Sequence, residues 1–224
     1  MTFAGLPPPT PPGRSAPAVN LPRSVGGLIA ANVAVFVLQN VTPPAWAAYM
    51  IESFGFRPTL YGGDPLAWPW PAYLGPVTHQ FLHGGTVHLL VNMVMLAAFG
   101  TGLARTVGSR RMLAMYVAAG VAGAITHAWF YPASSAPVIG ASGAISGLFG
   151  MVLRLLARHP KGGGTSRIWP VAALWVGISL LTGVAGMPGS GGVQVAWAAH
   201  VGGFVLGFAA FDVALIGYRP HRVK

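Results

Sequence analysis

The sequence predicts an all-α, polytopic membrane protein with six membrane-crossing helices and both termini in the cytoplasm. Three observations support this fold class: an apolar composition, six long apolar stretches, and basic residues that fall almost entirely in the segments on one side of those stretches. Of 224 residues, 54% are hydrophobic and only 7% are charged, whereas an ordinary soluble domain is about 25% charged. Because so few charged side chains cannot cover the surface of a soluble domain, a soluble globular fold is excluded.

The six apolar stretches each approach the roughly 20 residues that a helix needs to cross a bilayer. They lie at residues 25–42, 86–104, 111–131, 141–157, 168–186 and 195–216. The fourth is short and rich in glycine, which favours a helix buried among the others over one that faces lipid.

Basic residues indicate the orientation of these spans. Only Arg57 of the 13 Lys and Arg residues falls on the outer side, and all the others fall on the inner side. By the positive-inside rule, the inner side is the cytoplasm. The net charge of +10 is therefore a topology signal with some attraction to anionic lipid, and nucleic-acid binding is not expected.

The remaining segments define the predicted domain organisation. Residues 1–23 form a flexible, Pro-rich cytoplasmic tail in which no cleavable signal peptide is expected, and residues 218–224 form a short basic cytoplasmic tail. The membrane domain spans residues 24–217. Its outer loop, 43–85, is rich in aromatics and is expected at the headgroup level, and residues 187–194 are a candidate lid.

Three acids, Glu52, Asp64 and Asp212, and the absence of cysteine exclude much site chemistry. A calcium cage, a carboxylate-rich metal centre, a thiolate zinc site and a cysteine nucleophile all lack ligands or reactive groups. The histidines at 79, 83 and 88 suggest zinc only weakly, because the first two lie in a loop and no carboxylate joins them. We expect no metal and no cofactor.

Ionisable and strongly polar residues inside a membrane are functional candidates. His88, Asn92, Ser142 and His200 lie on the second, fourth and sixth spans, all within roughly 10 Å of the outer helix ends. Asp212 lies about 18 Å deeper than His200, so we expect it to pair with a cytoplasmic arginine instead. His127 is expected to be a structural or interfacial histidine.

Ser142 stands in the sequence Gly140-Ala141-Ser142-Gly143. The glycines beside Ser142 permit a sharp turn, and the start of the helix that follows offers free N–H groups that can hold an oxyanion. Close helix packing is the simpler explanation of such small residues. The repeats Gly143-x-x-x-Gly147 and Gly203-x-x-x-Gly207 fit that explanation, and they would also bring Ser142 close to His200.

With these motifs in place, the sequence resembles the rhomboid intramembrane serine proteases. Three stretches carry the resemblance: HQFLHGGTVHLLVNM at 79–93, GASGAISGLFG at 140–150 and AHVGGFVLGF at 199–208. Their order, spacing and positions on the second, fourth and sixth spans match the family pattern, and the resemblance covers roughly residues 25–216.

The resemblance implies a serine endopeptidase that cleaves in or near transmembrane segments of other membrane proteins through an acyl-enzyme. Ser142 would be the nucleophile and His200 the general base, with no carboxylate partner. The backbone N–H of Ser142 and the side chains of Asn92 and His88 would stabilise the oxyanion. The expected partners are transmembrane substrates and the lipid bilayer, in a bacterial inner membrane with the active site toward the outer face.

Three positions depart from the family pattern. Ser146 replaces an aromatic that often packs on the catalytic histidine, Leu74-Gly75 replaces a Trp-Arg pair, and Ala104 replaces a Glu. Two alternatives stay open: a catalytically inactive rhomboid-like protein that binds membrane clients, and a transporter or proton channel that uses the intramembrane histidines.

Overall fold

The computed structural model describes residues 20–158, 165–185 and 196–215, and this part of the chain is built from helices. These described ranges contain eight α-helices, in chain order α1 Arg23–Val41, α2 Pro44–Phe54, α3 Gly75–Thr78, α4 Thr86–Val107, α5 Ser109–Phe130, α6 Ser142–Arg158, α7 Thr165–Ala185 and α8 Trp197–Ala214. Extended backbone pairing in the described ranges is limited to an isolated bridge between Phe56 and Val138. The predicted all-α class is confirmed.

Three of the described helices, α1, α4 and α5, are long and apolar enough to cross a membrane. Shorter apolar stretches lie within α7, at Arg167–Gly183, and within α8, at Trp197–Val213. The six-span count and the cytoplasmic termini remain predictions. Of the predicted tails and lid, residues 1–19, 187–194 and 218–224 lie outside the described residues.

Helix α6 is the centre of the bundle, as expected for the short fourth stretch. Its 17 residues pack against α4, α5, α7 and α8, and residues 143–151 are all buried. Because α6 is surrounded by protein, its glycines meet other helices and not lipid.

Glycines allow α6 and α8 to touch backbone to backbone. A Cβ atom at Gly203 would overlap the carbonyl oxygen of Gly143, and a Cβ at Gly207 would overlap that of Gly147. Any side chain at these positions would separate the two helices. The close approach holds the first turn of α8 beside the first turn of α6.

At the other end of α6, Asp212 of α8 pairs with two arginines, as predicted for this acid. Its carboxylate lies 2.9 Å from the Arg154 guanidinium and 2.8 Å from that of Arg158. Arg154 also lies over the Phe208 ring, 5.5 Å from its centroid. These contacts join α6 and α8 far from the glycine contacts.

The segment between α1 and α4 is more ordered than the predicted outer loop. It contains the 11-residue helix α2, α3, and four 3₁₀ turns at Pro58–Tyr61, Pro65–Ala67, Trp70–Tyr73 and His79–Phe81. Pro44 begins α2, a position where proline costs no helical hydrogen bond. Trp46, Tyr49, Trp70 and Tyr73 are exposed, and their predicted place among lipid headgroups remains a prediction.

Candidate active site

Ser142 and His200 meet at the starts of two helices. The Nε2 atom of His200 lies 2.8 Å from the Oγ atom of Ser142, although the residues are 58 positions apart in the chain. Ser142 is the first residue of α6, and His200 lies in the first turn of α8. The distance permits the serine hydroxyl to donate its proton to the imidazole.

Gly140 shapes the turn that leads into α6. Its φ angle is +118°, a conformation that strains any residue with a side chain. A Cβ atom there would also lie 2.8 Å from both Cε1 and Nε2 of the His88 ring. Glycine therefore lets the His88 ring lie against the backbone just before Ser142.

Asn92 and His88 lie on the first two turns of α4, on the same helix face. The Asn92 Nδ2 atom donates to the backbone oxygen of His88 at 2.8 Å, which leaves the second amide hydrogen available. Asn92 is buried, yet it lines the same cavity as Ser142 and His200. The four residues predicted to lie at one depth thus surround one space.

That space is a cavity of about 580 Å³, large enough for several side chains of a peptide. It lies where α4, α6 and α8 begin, so three positive helix ends converge on it. Its lining also includes residues from α5 and α7. An anion formed in this cavity would be stabilised by both the helix ends and the N–H donors.

Several cavity residues were not anticipated from the sequence. On α7, Trp175, Ser179 and Thr182 line the cavity, and the spacing of the two hydroxyl residues, i and i+3, was a usable signal for a shared polar face. Trp197 Nε1 donates to the Tyr131 hydroxyl at 2.7 Å and ties the start of α8 to the end of α5. No sequence pattern indicated that pair.

His127 also lines the cavity, and its expected role as a structural or interfacial histidine stays a prediction. It is 9% exposed, and its ring lies 5.0 Å from the Tyr131 ring. Its Nδ1 atom has no hydrogen-bond partner within the described ranges.

The two loop histidines are structural in this fold. The Nδ1 atom of His79 lies 2.9 Å from the backbone oxygen of Gly75. The His83 ring packs against the His88 ring. Burial lowers the pKa of His79 and of His83 to about 4. The described residues contain no group of three His, Asp or Glu side chains that could hold a metal ion.

The three departures from the family pattern have plain local explanations. Ser146 is fully buried and donates to the Ser142 carbonyl at 2.8 Å, so its hydroxyl is satisfied within α6. Gly75 lies against the Tyr61 hydroxyl, which donates to the Ala72 oxygen at 2.6 Å. Ala104 is part of the apolar core.

Comparison with known proteins identifies the family. A family model, the Rhomboid domain, matches residues 72–216, more than half of the chain. RHOMBOID-like protein 4 of Arabidopsis thaliana is 33% identical over 158 residues, covering 65% of this chain and 38% of that protein. Rhomboid protease GluP of Bacillus subtilis is 40% identical over 92 residues, covering 41% of this chain and 17% of the relative.

A third relative covers more of the chain. Presenilin-associated rhomboid-like protein A, mitochondrial, of Danio rerio is 28% identical over 203 residues, covering 88% of this chain and 48% of the relative. The chain thus spans less than half the length of each of these three relatives. The matched domain and the apolar helices make this an integral membrane protein with a rhomboid-like helical bundle, and the chain belongs to the rhomboid family.

Proposed function

We propose that this chain is an intramembrane serine endopeptidase that hydrolyses peptide bonds in or near transmembrane segments of membrane proteins. The observation that supports it most strongly is the 2.8 Å contact between Ser142 Oγ and His200 Nε2 at the wall of a peptide-sized cavity. A serine paired with an imidazole at this distance is the arrangement that nucleophilic acyl transfer needs.

In the proposed first step, His200 Nε2 takes the proton of the Ser142 hydroxyl as Oγ attacks the scissile carbonyl carbon. The tetrahedral intermediate then collapses, the C–N bond breaks, and His200 returns the proton to the leaving amine. Water, with its proton taken by His200, hydrolyses the resulting Ser142 ester and restores the hydroxyl. The chain's three acids do not take part: Asp212 is engaged by Arg154 and Arg158, Glu52 pairs with Arg57, and Asp64 accepts from the backbone N–H of Leu66.

The oxyanion of each tetrahedral intermediate would be held by the backbone N–H of Ser142, the second amide hydrogen of Asn92 and the ring N–H of His88. Donors of this kind act because charge appears on the carbonyl oxygen only during the reaction. Their position at three helix starts adds favourable dipoles.

Substrate would enter between α4 and α7. Val91 and Met95 of α4 and Ile178 of α7 line the cavity, and Val91 and Ile178 are also exposed, so this apolar wall suits a transmembrane segment. Movement of α7 would widen the opening. Because the basic residues lie on the opposite side of the predicted membrane domain, the Ser142–His200 pair would face the outer side of the membrane.

The compartment is left open by the relatives, because one is bacterial and another mitochondrial by name. They do not support a bacterial inner membrane over an organelle membrane. The alternative to a protease is an inactive rhomboid-like protein that binds membrane clients, and activity separates the two.

The test is cleavage of a transmembrane peptide and labelling by a fluorophosphonate, using protein purified in detergent. Wild-type protein should cleave and label, whereas Ser142→Ala and His200→Ala should do neither. Ser146→Ala is the matched control, because it removes a buried hydroxyl from the same helix outside the reaction. Cleavage by Ser142→Ala at the wild-type rate would refute the proposal, and an unlabelled, inactive wild type would favour the client-binding alternative.

A further inference from the structure

Helix α1 does not line the cavity, but the side chain of Gln39 connects it to residues that do. The described cavity lining includes no residue of α1. Gln39 is buried, its Oε1 accepts from the backbone N–H of His83 at 3.2 Å, and its Nε2 donates to the His83 carbonyl at 3.4 Å. One side chain therefore satisfies both backbone groups of a buried residue that has no strand to pair with.

The backbone held by Gln39 leads directly to His88. The His83 ring packs edge-on against the His88 ring, with centroids 5.0 Å apart. The next residue, Gly84, directs its backbone N–H to Nδ1 of His88 at 3.5 Å. The position of the His83–Gly84 backbone consequently determines which group faces Nδ1 of His88.

A backbone N–H can only donate, so the Nδ1 atom that faces it must present its lone pair. A neutral imidazole carries one proton, which then resides on Nε2. The edge of the His88 ring that lies against Gly140, just before Ser142, is formed by Nε2 and Cε1. The His83 ring that packs on His88 is neutral at physiological pH, because burial lowers the pKa of His83 to about 4.

We infer that Gln39 is a positioning residue that holds His88 with its proton on Nε2, where it can donate to the oxyanion. This inference rests on the proposed function, since it assigns a task to the proposed oxyanion donor. Gln39 touches no reacting atom. It acts by fixing the His83–Gly84 backbone.

Gln39→Met tests the inference, because methionine fills the space of glutamine and offers neither hydrogen bond. We expect kcat for peptide cleavage to fall at least about 10-fold, a part of the 10²–10³ that an oxyanion donor supplies, with KM changed less than about twofold. Asn32→Leu is the matched control, since Asn32 is another buried amide of α1 whose Nδ2 bonds the Leu28 oxygen. The control should keep wild-type kcat.

A double-mutant cycle separates positioning from a general structural effect. In His88→Gln the amide nitrogen replaces Nε2 and has no tautomer, so adding Gln39→Met should change kcat by less than about twofold. An undiminished effect of Gln39→Met in that background would overturn the inference. Equal losses in Gln39→Met and Asn32→Leu would do the same.

Should Gln39→Met fail to fold, ¹⁵N NMR of histidine-labelled wild-type protein decides the question. Protonated Nε2 on His88 would support the inference, and protonated Nδ1 would overturn it. Failure of the proposed function is a different result: either Ser142→Ala cleaves like wild type, or the wild-type protein neither cleaves nor labels. If Ser142→Ala is inactive and folded Gln39→Met keeps wild-type kcat, only the inference fails.

Discussion

Gly203 of α8 lies directly on the backbone of Gly143 of α6, with no space for a methyl group between them. A Cβ atom at Gly203 would overlap the Gly143 carbonyl oxygen and lie 2.9 Å from its carbon. This contact sets the separation of the helices that carry Ser142 and His200. The same two glycines therefore control both the packing of α6 on α8 and the distance between Ser142 and His200.

Gly203→Ala should force α6 and α8 apart and lower the free energy of unfolding by about 1–3 kcal/mol, the usual cost of overpacking. The rate of peptide cleavage should fall as the distance between Ser142 Oγ and His200 Nε2 grows. Gly177→Ala is the control, because a Cβ there meets no atom within 4 Å, and alanine in an open helical position is favourable. Thermal melts in detergent and cleavage rates provide the measurement, and an equally stable, fully active Gly203→Ala would contradict this packing argument.

Asn92→Ala should lower kcat for peptide cleavage by about 10²–10³-fold with little change in KM, because the lost donor acts in the transition state. Asn40→Ala is a matched control: its Nδ2 also bonds the oxygen four residues earlier, that of Phe36, at 2.7 Å, but on the exposed surface of α1. Steady-state kinetics on both variants supply the comparison. A loss confined to KM would assign Asn92 to substrate binding and not to the oxyanion.

Asp212→Asn should reduce stability by about 1 kcal/mol, since the carboxylate is partly exposed and solvent weakens its two ion pairs. The fluorophosphonate labelling rate at a temperature where the variant is folded should be unchanged, because Asp212 lies far from the dyad. Glu52→Gln removes the exposed pair with Arg57 and should cost less. A large drop in labelling by folded Asp212→Asn would mean that the inner ion pairs affect the active site.

Acid should destabilise the protein between pH 6.5 and 4. Above the ordinary histidine pKa of about 6.5, His79 and His83 are neutral in both the folded and unfolded chain. Below it, the unfolded chain binds protons that the folded chain, with both pKa values lowered to about 4, does not. Stability should therefore fall as pH falls, by up to about 1.4 kcal/mol per pH unit for each histidine.

Thermal melts of Ser142→Ala at several pH values measure this slope without self-cleavage. His83→Asn should flatten the slope, because the amide does not titrate and its nitrogen can still donate to the Phe81 oxygen that His83 Nδ1 contacts. A melting temperature that is constant from pH 7 to pH 4.5 would show that these histidines are not desolvated as described.

The helices and the residues of the site were open to prediction because their signals are local. Apolar runs marked α1, α4 and α5, and their predicted ends differ from the observed ones by only a few residues. The depth of His88, Ser142 and His200 followed from counting residues along each helix. Helix α2 was missed, because an 11-residue segment is too short for the apolar-run criterion and the prolines of this region suggested a loop.

Contacts between distant residues were less accessible. That Asp212 pairs with an arginine followed from its depth near the inner, arginine-rich side, but only the structure showed that the partners are Arg154 and Arg158. By contrast, Gln39 stands 44 residues from His83, and nothing in its neighbourhood distinguishes it from an ordinary membrane glutamine. Ser179 and Thr182 show the same limit, because which face of α7 meets the cavity depends on its packing.

By itself, the sequence determined that this protein is an all-helical membrane protein of the rhomboid family, and it placed a serine and a histidine at matching depth. Composition and short motifs suffice for that, since hydrophobic length and residue spacing along a helix are properties of the local chain. Only the tertiary structure decided that Ser142 Oγ and His200 Nε2 lie 2.8 Å apart and that Gln39 holds the turn before His88. Those relationships depend on how closely helices approach, which is set by backbone contact at Gly143 and Gly203 and by hydrogen bonds between residues far apart in the chain.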